Sequence, residues 1–195
     1  EDVLGIADLA ARVMHAWRES ASNKQRGVRI TVSTSWFVPK PHTAFQWEPQ
    51  ISKEEYQRRV KLLREAITTK TVTYNWHDPD TSFLEAVLAR GDRRMCKVLE
   101  AAWRKGAKLD AWEEYFSLER WMEAFDECGL DPHFYANRQR EKDEIMPWSV
   151  ISSGVTEEYL WRELQRAKAG VITPDCRTHC NACGANHLVG GTCHV

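Results

Sequence analysis

The chain has 195 residues, 43% of them apolar, so a domain of this size can bury roughly two-thirds of its unfolded surface. Its 27 basic and 28 acidic residues leave a net charge of −1, which removes any global attraction to nucleic acid or anionic lipid. No run of about 18 apolar residues occurs and no signal-peptide pattern is visible, so the expectation is a cytoplasmic chain with no membrane partner.

The sequence opens directly in a helical pattern. Val3, Ile6, Ala10, Val13, Met14 and Trp17 form one stripe over residues 2–20. A chain that begins inside such a pattern is expected to be cut from something longer. Val28–Phe37 reads as a strand, with Val28, Ile30, Val32 and Thr34 alternating with Arg29, Thr31 and Ser33. Pro39 and Pro41 stop it, because neither has an N–H to give to a ladder. Ser52-Lys-Glu-Glu55 is a capping box that opens a helix with the stripe Tyr56, Val60, Leu63 and Ile67. Thr71–Trp76, rich in β-branched and aromatic residues, reads as a second strand. Helix–strand–helix–strand is the rhythm of an α/β fold. Two parallel strands cannot close a barrel, so further strands are expected from elsewhere.

After Trp76 the pattern is helical. Ser82-Phe-Leu-Glu85 reads as another capping box, with Gly91 ending its helix. Asp92 reads as the cap of a helix with the stripe Met95, Val98, Leu99, Ala102 and Trp103, stopped by Gly106. Leu118, Trp121, Met122, Phe125 and Cys128 form a further stripe ending at Gly129. Asp131-Pro132 is a cap followed by proline at the first helical position. Residues 137–154 read as a connector, and Val155–Ala169 as a last helix closed by Gly170. The nine tryptophans are assigned first to the core. The basic clusters Arg90, Arg93, Arg94 and Arg138, Arg140, Lys142 are read as solvated helix faces, with an anion or phosphate site as the alternative if they converge in space; around Asp92 the arginines are read as satisfying carbonyls and carboxylates.

The tail from Thr173 has no periodicity and carries four of the six cysteines: Cys176, Cys180, Cys183 and Cys193. Clustered cysteines without a secretory signal point to metal ligation rather than disulfides. Four thiolates suit a tetrahedral zinc or a cubane iron–sulfur cluster. Cys180-Asn-Ala-Cys183-Gly184 has the form of a metal knuckle, in which glycine permits the tight turn. His179, His187 and His194 are alternative ligands.

Several segments, in order, resemble a radical S-adenosylmethionine (SAM) protein family. Ser35-Trp-Phe-Val-Pro-Lys-Pro-His-Thr43 and Phe45-Gln-Trp47 are similar to the sixth-strand region of its barrel. Thr81–Arg94, Gly106–Trp112, Met146-Pro-Trp148 and Thr173-Pro-Asp-Cys-Arg177 are similar to the region after that barrel in an uncharacterised group, where a cobalamin-binding-like domain often comes first. The resemblance implies the C-terminal part of a (β/α) radical SAM barrel in residues 1–76. A helical extension over 77–170 and a four-cysteine metal-binding tail over 171–195 follow. It implies an enzyme whose [4Fe–4S] cluster cleaves SAM to a 5′-deoxyadenosyl radical acting on an undetermined substrate. The first partner would be the N-terminal part of the same barrel, which supplies the cluster loop and the SAM-binding segments. Cys176-x3-Cys180-x2-Cys183 has the spacing of the family's cluster motif. It is not assigned to it: only 12 residues follow Cys183, Ala182 stands where that motif usually has an aromatic, and Cys193 offers a fourth ligand. The chain alone is therefore not expected to be active. Ala44 also stands where the family often has proline.

Barrel enzymes carry active groups on loops at the C-terminal ends of strands. After the first strand these are Lys40, His42, Thr43 and Gln46, with Lys40 and His42 the catalytic candidates. After the second they are His77 and Asp78. A Pro-stiffened connection explains each residue singly just as well. The alternative function is a non-catalytic module, in which zinc folds the tail and the helices dock a protein or RNA partner.

Overall fold

In the computed structural model, which describes residues 2–23, 25 and 27–191, the chain is mixed α/β and mostly helical. It divides into two units. The first takes the described residues up to Phe37 and those from Ile51 to Phe83. The second takes Val38–Gln50 and the described residues from Leu84 onward.

The first unit is a βαβ arrangement preceded by a helix. Helix α1 (Asp2–Ser20) leads to β1 (Ile30–Thr34), the crossover α2 (Lys53–Ala66), β2 (Val72–Trp76) and the start of α3 (Pro79–Ala89). The strands pair in parallel, Ile30 opposite Val72 and Thr34 opposite Trp76. The ladder closes with Ile30 N–H donating to Thr71 O and His77 N–H to Thr34 O. Parallel strands need such a crossover. Among the described residues the sheet has these two strands and does not form a barrel.

Alternation gives the sheet two unlike faces. Ile30, Val32, Thr34, Val72 and Tyr74 are half-buried, and Thr34 and Tyr74 share a cavity wall with Val3 and Ile6 of α1 and Tyr56, Val60 and Leu63 of α2. The Thr34 and Tyr74 hydroxyls hydrogen-bond at 2.8 Å, and Trp36 stacks on Tyr56 with ring centroids 5.0 Å apart. The opposite face carries Thr31, Ser33, Thr73 and Asn75, all exposed and all polar. Parallel strands are ordinarily covered on both faces and apolar throughout.

Local signals set the helix starts. Glu55 N–H donates to Ser52 Oγ at 3.2 Å, as the capping box requires. The Glu55 side chain instead turns to Arg58 and Arg59, which hold its carboxyl down at about 2. The expected box at Ser82–Glu85 does not form, because α3 starts earlier. Asp78 Oδ1 accepts from the N–H groups of Asp80 and Thr81, with Pro79 at the first helical position. Ser82, already inside the helix, gives its hydroxyl to Asp78 O. The first strand is also shorter than Val28–Phe37: its ladder ends at Thr34 and His77, beyond which Trp36 packs on Tyr56.

The second unit holds α4 (Met95–Arg104), α5 (Leu118–Glu127), α6 (Pro132–Ala136) and α7 (Glu157–Lys168). Helices α4 and α5 pack together, Val98, Ala101 and Ala102 of the first and Trp121, Ala124 and Phe125 of the second are buried, and Lys105 pairs with Glu123 and Glu127. Asp92, expected to cap α4, does not: Arg94 is the N-cap residue and has no side-chain cap bond, while Asp92 lies two residues earlier in a turn where its Oδ1 accepts from Arg94 N–H and its carbonyl from Met95 N–H. Asp131 accepts from His133 N–H ahead of Pro132. Leu99 and Trp103, read as part of the α4 stripe, are exposed, as are Trp76 and Trp112. Trp36, Trp47, Trp121 and Trp148 are buried. No helix among the described residues is long and apolar enough to cross a membrane.

Segment 38–50 is irregular, yet it sits at the centre of this unit. Trp47 is fully buried in a core with Met146, Trp148, Leu160 and Leu164, edge-on to Trp161 at 5.1 Å. An irregular segment can be buried only if its backbone groups find partners. Arg90, itself fully buried, supplies them. Its Nη1 donates to the carbonyls of Glu48 at 2.9 Å and of Pro39 and Gln46 at 3.3 Å, and its Nε to Tyr135 O at 2.9 Å. Gln50 N–H donates to Ala136 O, and Arg140 N–H to Trp47 O. Burial, with Arg140 and Arg138 nearby, pushes the Arg90 guanidinium down to about 10, still charged at neutral pH. Arg140, 3% exposed, donates to Arg90 O and pairs with Glu144 at 3.3 Å.

Replacing Arg90 by Met strands these carbonyls in the core. The expected loss is on the order of 3 kcal/mol or more in urea unfolding, with Arg90→Lys recovering only part, because an ammonium cannot fork to four carbonyls. A loss below about 1 kcal/mol would remove Arg90 from this role. Glu144 gives a pH prediction. The hydrogen bond from Arg138 holds its carboxyl below the usual range, aided by the charges of Arg138 and Arg140. Its folded pKa is thus below its unfolded one, so its stabilisation is complete above the ordinary carboxylate range and is lost as pH falls through the folded value. The urea midpoints of wild type and Glu144→Gln should differ at neutral pH and converge on acidification.

Candidate functional site

The connection after β1 carries the candidates Lys40 and His42, and the structure gives them different fates. Lys40 is exposed and its Nζ pairs with Glu85. Thr43 turns its hydroxyl onto Lys40 O at 2.7 Å. Both contacts serve the fold of the segment.

His42 is different. Its φ is 56°, in the left-handed region. Its N–H donates to Gln46 Oε1 at 2.9 Å, and that oxygen also accepts from Trp148 Nε1 at 2.8 Å. One buried amide oxygen thus fixes both the turn at His42 and the Trp148 ring. The His42 ring nitrogen Nε2 is cut off from solvent and has no hydrogen-bond partner among the described residues. Left-handed backbone at a non-glycine residue and an orphaned buried polar atom each cost about 1–3 kcal/mol. His42 thus combines a left-handed backbone with a buried ring nitrogen that has no partner among the described residues.

Beside His42 lies a cavity of about 290 Å³, wholly within the second unit. Gln46, Met146 and Trp148 form its back. Residues Ser149–Ser153, with Val155, form a loop wall, and Glu157 stands in the first turn of α7. The loop is pinned at both ends. Ser149 Oγ accepts from Met146 N–H at 3.1 Å, and Thr156 caps α7 by accepting from Tyr159 N–H. His77 and Asp78 do not line it: Asp78 caps α3, and His77 O accepts from Tyr56 Oη. The sequence reading found His42 and Gln46 but missed Ser152, Ser153 and Glu157. The one signal for Ser152 and Ser153 was position, in a polar connector after the Met146-Pro-Trp148 motif, and Glu157 stood only as a residue of the last helix.

The cysteine tail is seated on α7. Arg162 Nη2 donates to Asn181 O at 2.6 Å, Thr156 N–H to Cys183 O at 2.8 Å, and Thr173 Oγ1 bonds Glu163. Asp175 opens a turn, its Oδ1 accepting from Arg177 N–H. The knuckle has the expected backbone reversal: φ is 53° at Ala182 and 89° at Gly184. A side chain at Gly184 would meet Thr156 Cγ2 at 2.6 Å, so glycine is required there for both conformation and space. Cys176 and Cys180 are exposed and Cys183 is half-buried. Among the described residues no three His, Cys, Asp or Glu side chains are grouped to hold a metal ion. Cys193 and His194, named in the expected ligand set, lie outside the described residues. The described sulfurs of the tail are thus not gathered around one point. Cys96 and Cys128 stand apart at the ends of α4 and α5.

No protein-family model matches the chain, and no solved structure matches it. A protein of Methanocaldococcus jannaschii, named as the uncharacterized protein MJ0966, is 21% identical over 103 residues. The match covers 52% of this chain and 22% of that protein, so the chain spans about a fifth of the relative's length.

If His42 is held in strain for function, His42→Asn should not destabilise the chain, because asparagine tolerates the left-handed region. The expected result is a gain of about 0.5–1 kcal/mol in urea unfolding. A clear loss of stability would make His42 a structural residue.

Proposed function

We propose that the chain is a late section of a radical SAM iron–sulfur enzyme, contributing barrel strands and a four-cysteine metal site. The observation that carries this reading is the parallel β1–β2 pair. One of its faces meets α1 and α2, while the other is bare and polar through Thr31, Ser33, Thr73 and Asn75. A barrel also covers the outer face of its strands with helices, and carries its active groups on the loops at the strands' C-terminal ends. The resemblance of Ser35–Trp47 to the sixth-strand region of such barrels supports the same assignment.

In such an enzyme a [4Fe–4S] cluster, held by the rest of the barrel, would supply the electron that cleaves SAM at its C5′–S bond into methionine and a 5′-deoxyadenosyl radical. That radical takes a hydrogen atom from the substrate. The cluster loop and SAM-binding segments have no match in these residues, so they would come from the rest of the barrel. Cys176, Cys180, Cys183 and Cys193 would hold a second metal, an auxiliary iron–sulfur cluster. His42, beside its cavity, is the substrate-facing candidate within this segment.

A second reading is favoured by the reversal at Ala182 and Gly184. A tight knuckle around two thiolates is also the form of a structural zinc site. The chain would then be a non-catalytic module docking a protein or RNA partner.

Anaerobic purification with metal and sulfide analysis separates the two. The enzyme reading expects a brown protein with iron and acid-labile sulfide. One zinc per colourless chain would contradict it and support the second reading. Cys183→Ser should release the metal in either case, and unchanged metal content would remove Cys183 from the ligand set.

A further inference from the structure

A groove of about 520 Å³ lies between α2 and the end of β2, wholly within the first unit. Tyr56, Val60, Trp76 and Pro79 line it with apolar surface, and Lys61 and Arg64 bring positive charge. The groove is preformed. Tyr56 Oη donates to His77 O at 2.9 Å, and Lys53 of α2 pairs with Asp80 of α3, which ties the helix to the segment after β2. Tyr74 meets the Trp76 ring with centroids 5.3 Å apart.

Two of these residues are left over from the packing of the unit. Trp76, the last residue of β2, is 43% exposed. Arg64 has no ion pair among the described residues, whereas Arg58 and Arg59 of the same helix both pair with Glu55. A cation is favourable in the last turn of a helix. That accounts for the charge of Arg64, but not for its place beside an exposed indole. Lys61 meets Glu65 only at 4.0 Å, with both side chains largely exposed, so it remains available to an anion.

An indole face stacks on a flat ring, and a guanidinium forks to phosphate oxygens. The volume is in the range of small-molecule sites and exceeds what a lone phosphate fills. We propose that this groove binds a single mononucleotide, its base stacked on Trp76 and its phosphate held by Arg64 and Lys61. A purely apolar occupant leaves both cations unpaired. A single-stranded nucleic acid needs a basic lining that tracks its backbone, and Glu54, Glu55 and Glu65 on the same helix oppose one. The groove is on the side of the sheet that α2 covers, so the site neither uses the bare polar face nor depends on the barrel assignment.

Adenosine monophosphate, adenosine and inorganic phosphate test the two ends together and apart. The full 195-residue chain, labelled with nitrogen-15, is titrated with each while the backbone amides of 56–65 and 76–78 are followed by NMR. Adenosine monophosphate should give a saturable shift confined to these amides, with adenosine and phosphate each weaker by roughly tenfold or more, as expected when one contact is lost. Trp76→Ala should bring the mononucleotide down to the level of phosphate, and Arg64→Gln to that of adenosine, each in a chain whose remaining spectrum is unchanged. Arg64 is exposed on α2, so its variant carries the test even where Trp76→Ala disturbs the strand end. Adenosine binding as tightly as the mononucleotide would leave only an apolar patch, and phosphate doing so would leave only an anion site. A single-stranded oligoadenylate saturating the same amides at far lower concentration would make the groove a nucleic-acid surface. Any of these results, or no saturable shift with any probe, would overturn the proposal.

Discussion

The second unit is organised around a buried cation that pairs with no carboxylate among the described residues. Arg90 spends its guanidinium on main-chain carbonyls, three from segment 38–50 and one from α6. The last carbonyls of a helix lack intrahelical partners, so Tyr135 O is a natural acceptor. The loop carbonyls have no ladder to join. One planar group with several fixed donors satisfies all of them, and an irregular segment becomes part of the core. Trp47 can then be buried beneath Leu160 and Leu164. Gln46 is held with its side chain inside, and the turn at His42 follows from Gln46. The strained histidine is thus linked to Arg90 through a short chain of named contacts.

What could be read from the sequence is what depends on neighbours in sequence. Ser52 and Asp131-Pro132 lie where their helices start, and the glycines at 129 and 170 adopt the left-handed conformation expected after a helix. The failure at Ser82 is also local. Asp78-Pro79 offers a cap four residues earlier with proline in the right place, and the earlier signal prevails. Segment 38–50 could not be read in this way. Its partners are 42 to 51 residues distant at Arg90 and 102 at Trp148, so its prolines suggested only a connection. The left-handed conformation of His42 carries no sequence mark, since glycine or asparagine would have been the expected residue. The reading of the two basic clusters as solvated helix faces fails at Arg90 and Arg140, both buried, because a pattern of charges does not show which carbonyls the fold brings to them; the role of satisfying carbonyls holds for Arg90.

The cysteine tail stands between these cases. Spacing alone marks the Cys180–Gly184 knuckle, and the backbone turns there as expected. Whether sulfurs meet is a matter of three-dimensional closure, and one of the four expected ligands lies outside the described residues. The tail is nonetheless not a free end: Thr156, Arg162 and Glu163 hold its backbone and Thr173 to the side of α7. The same Thr156 ends the loop wall of the His42 cavity, so the two candidate sites share one helix start. In the first unit the bare polar sheet face poses the corresponding question, and the proposed barrel answers it by making that face an interior.

Amide hydrogen exchange on wild type and Arg90→Lys tests most directly whether Arg90 creates the His42 site. Strong protection of the Gln46, Gln50 and Arg140 amides in wild type should fall in the variant, while the α4–α5 amides keep theirs. Unchanged protection across residues 42–50 in Arg90→Lys would contradict the account.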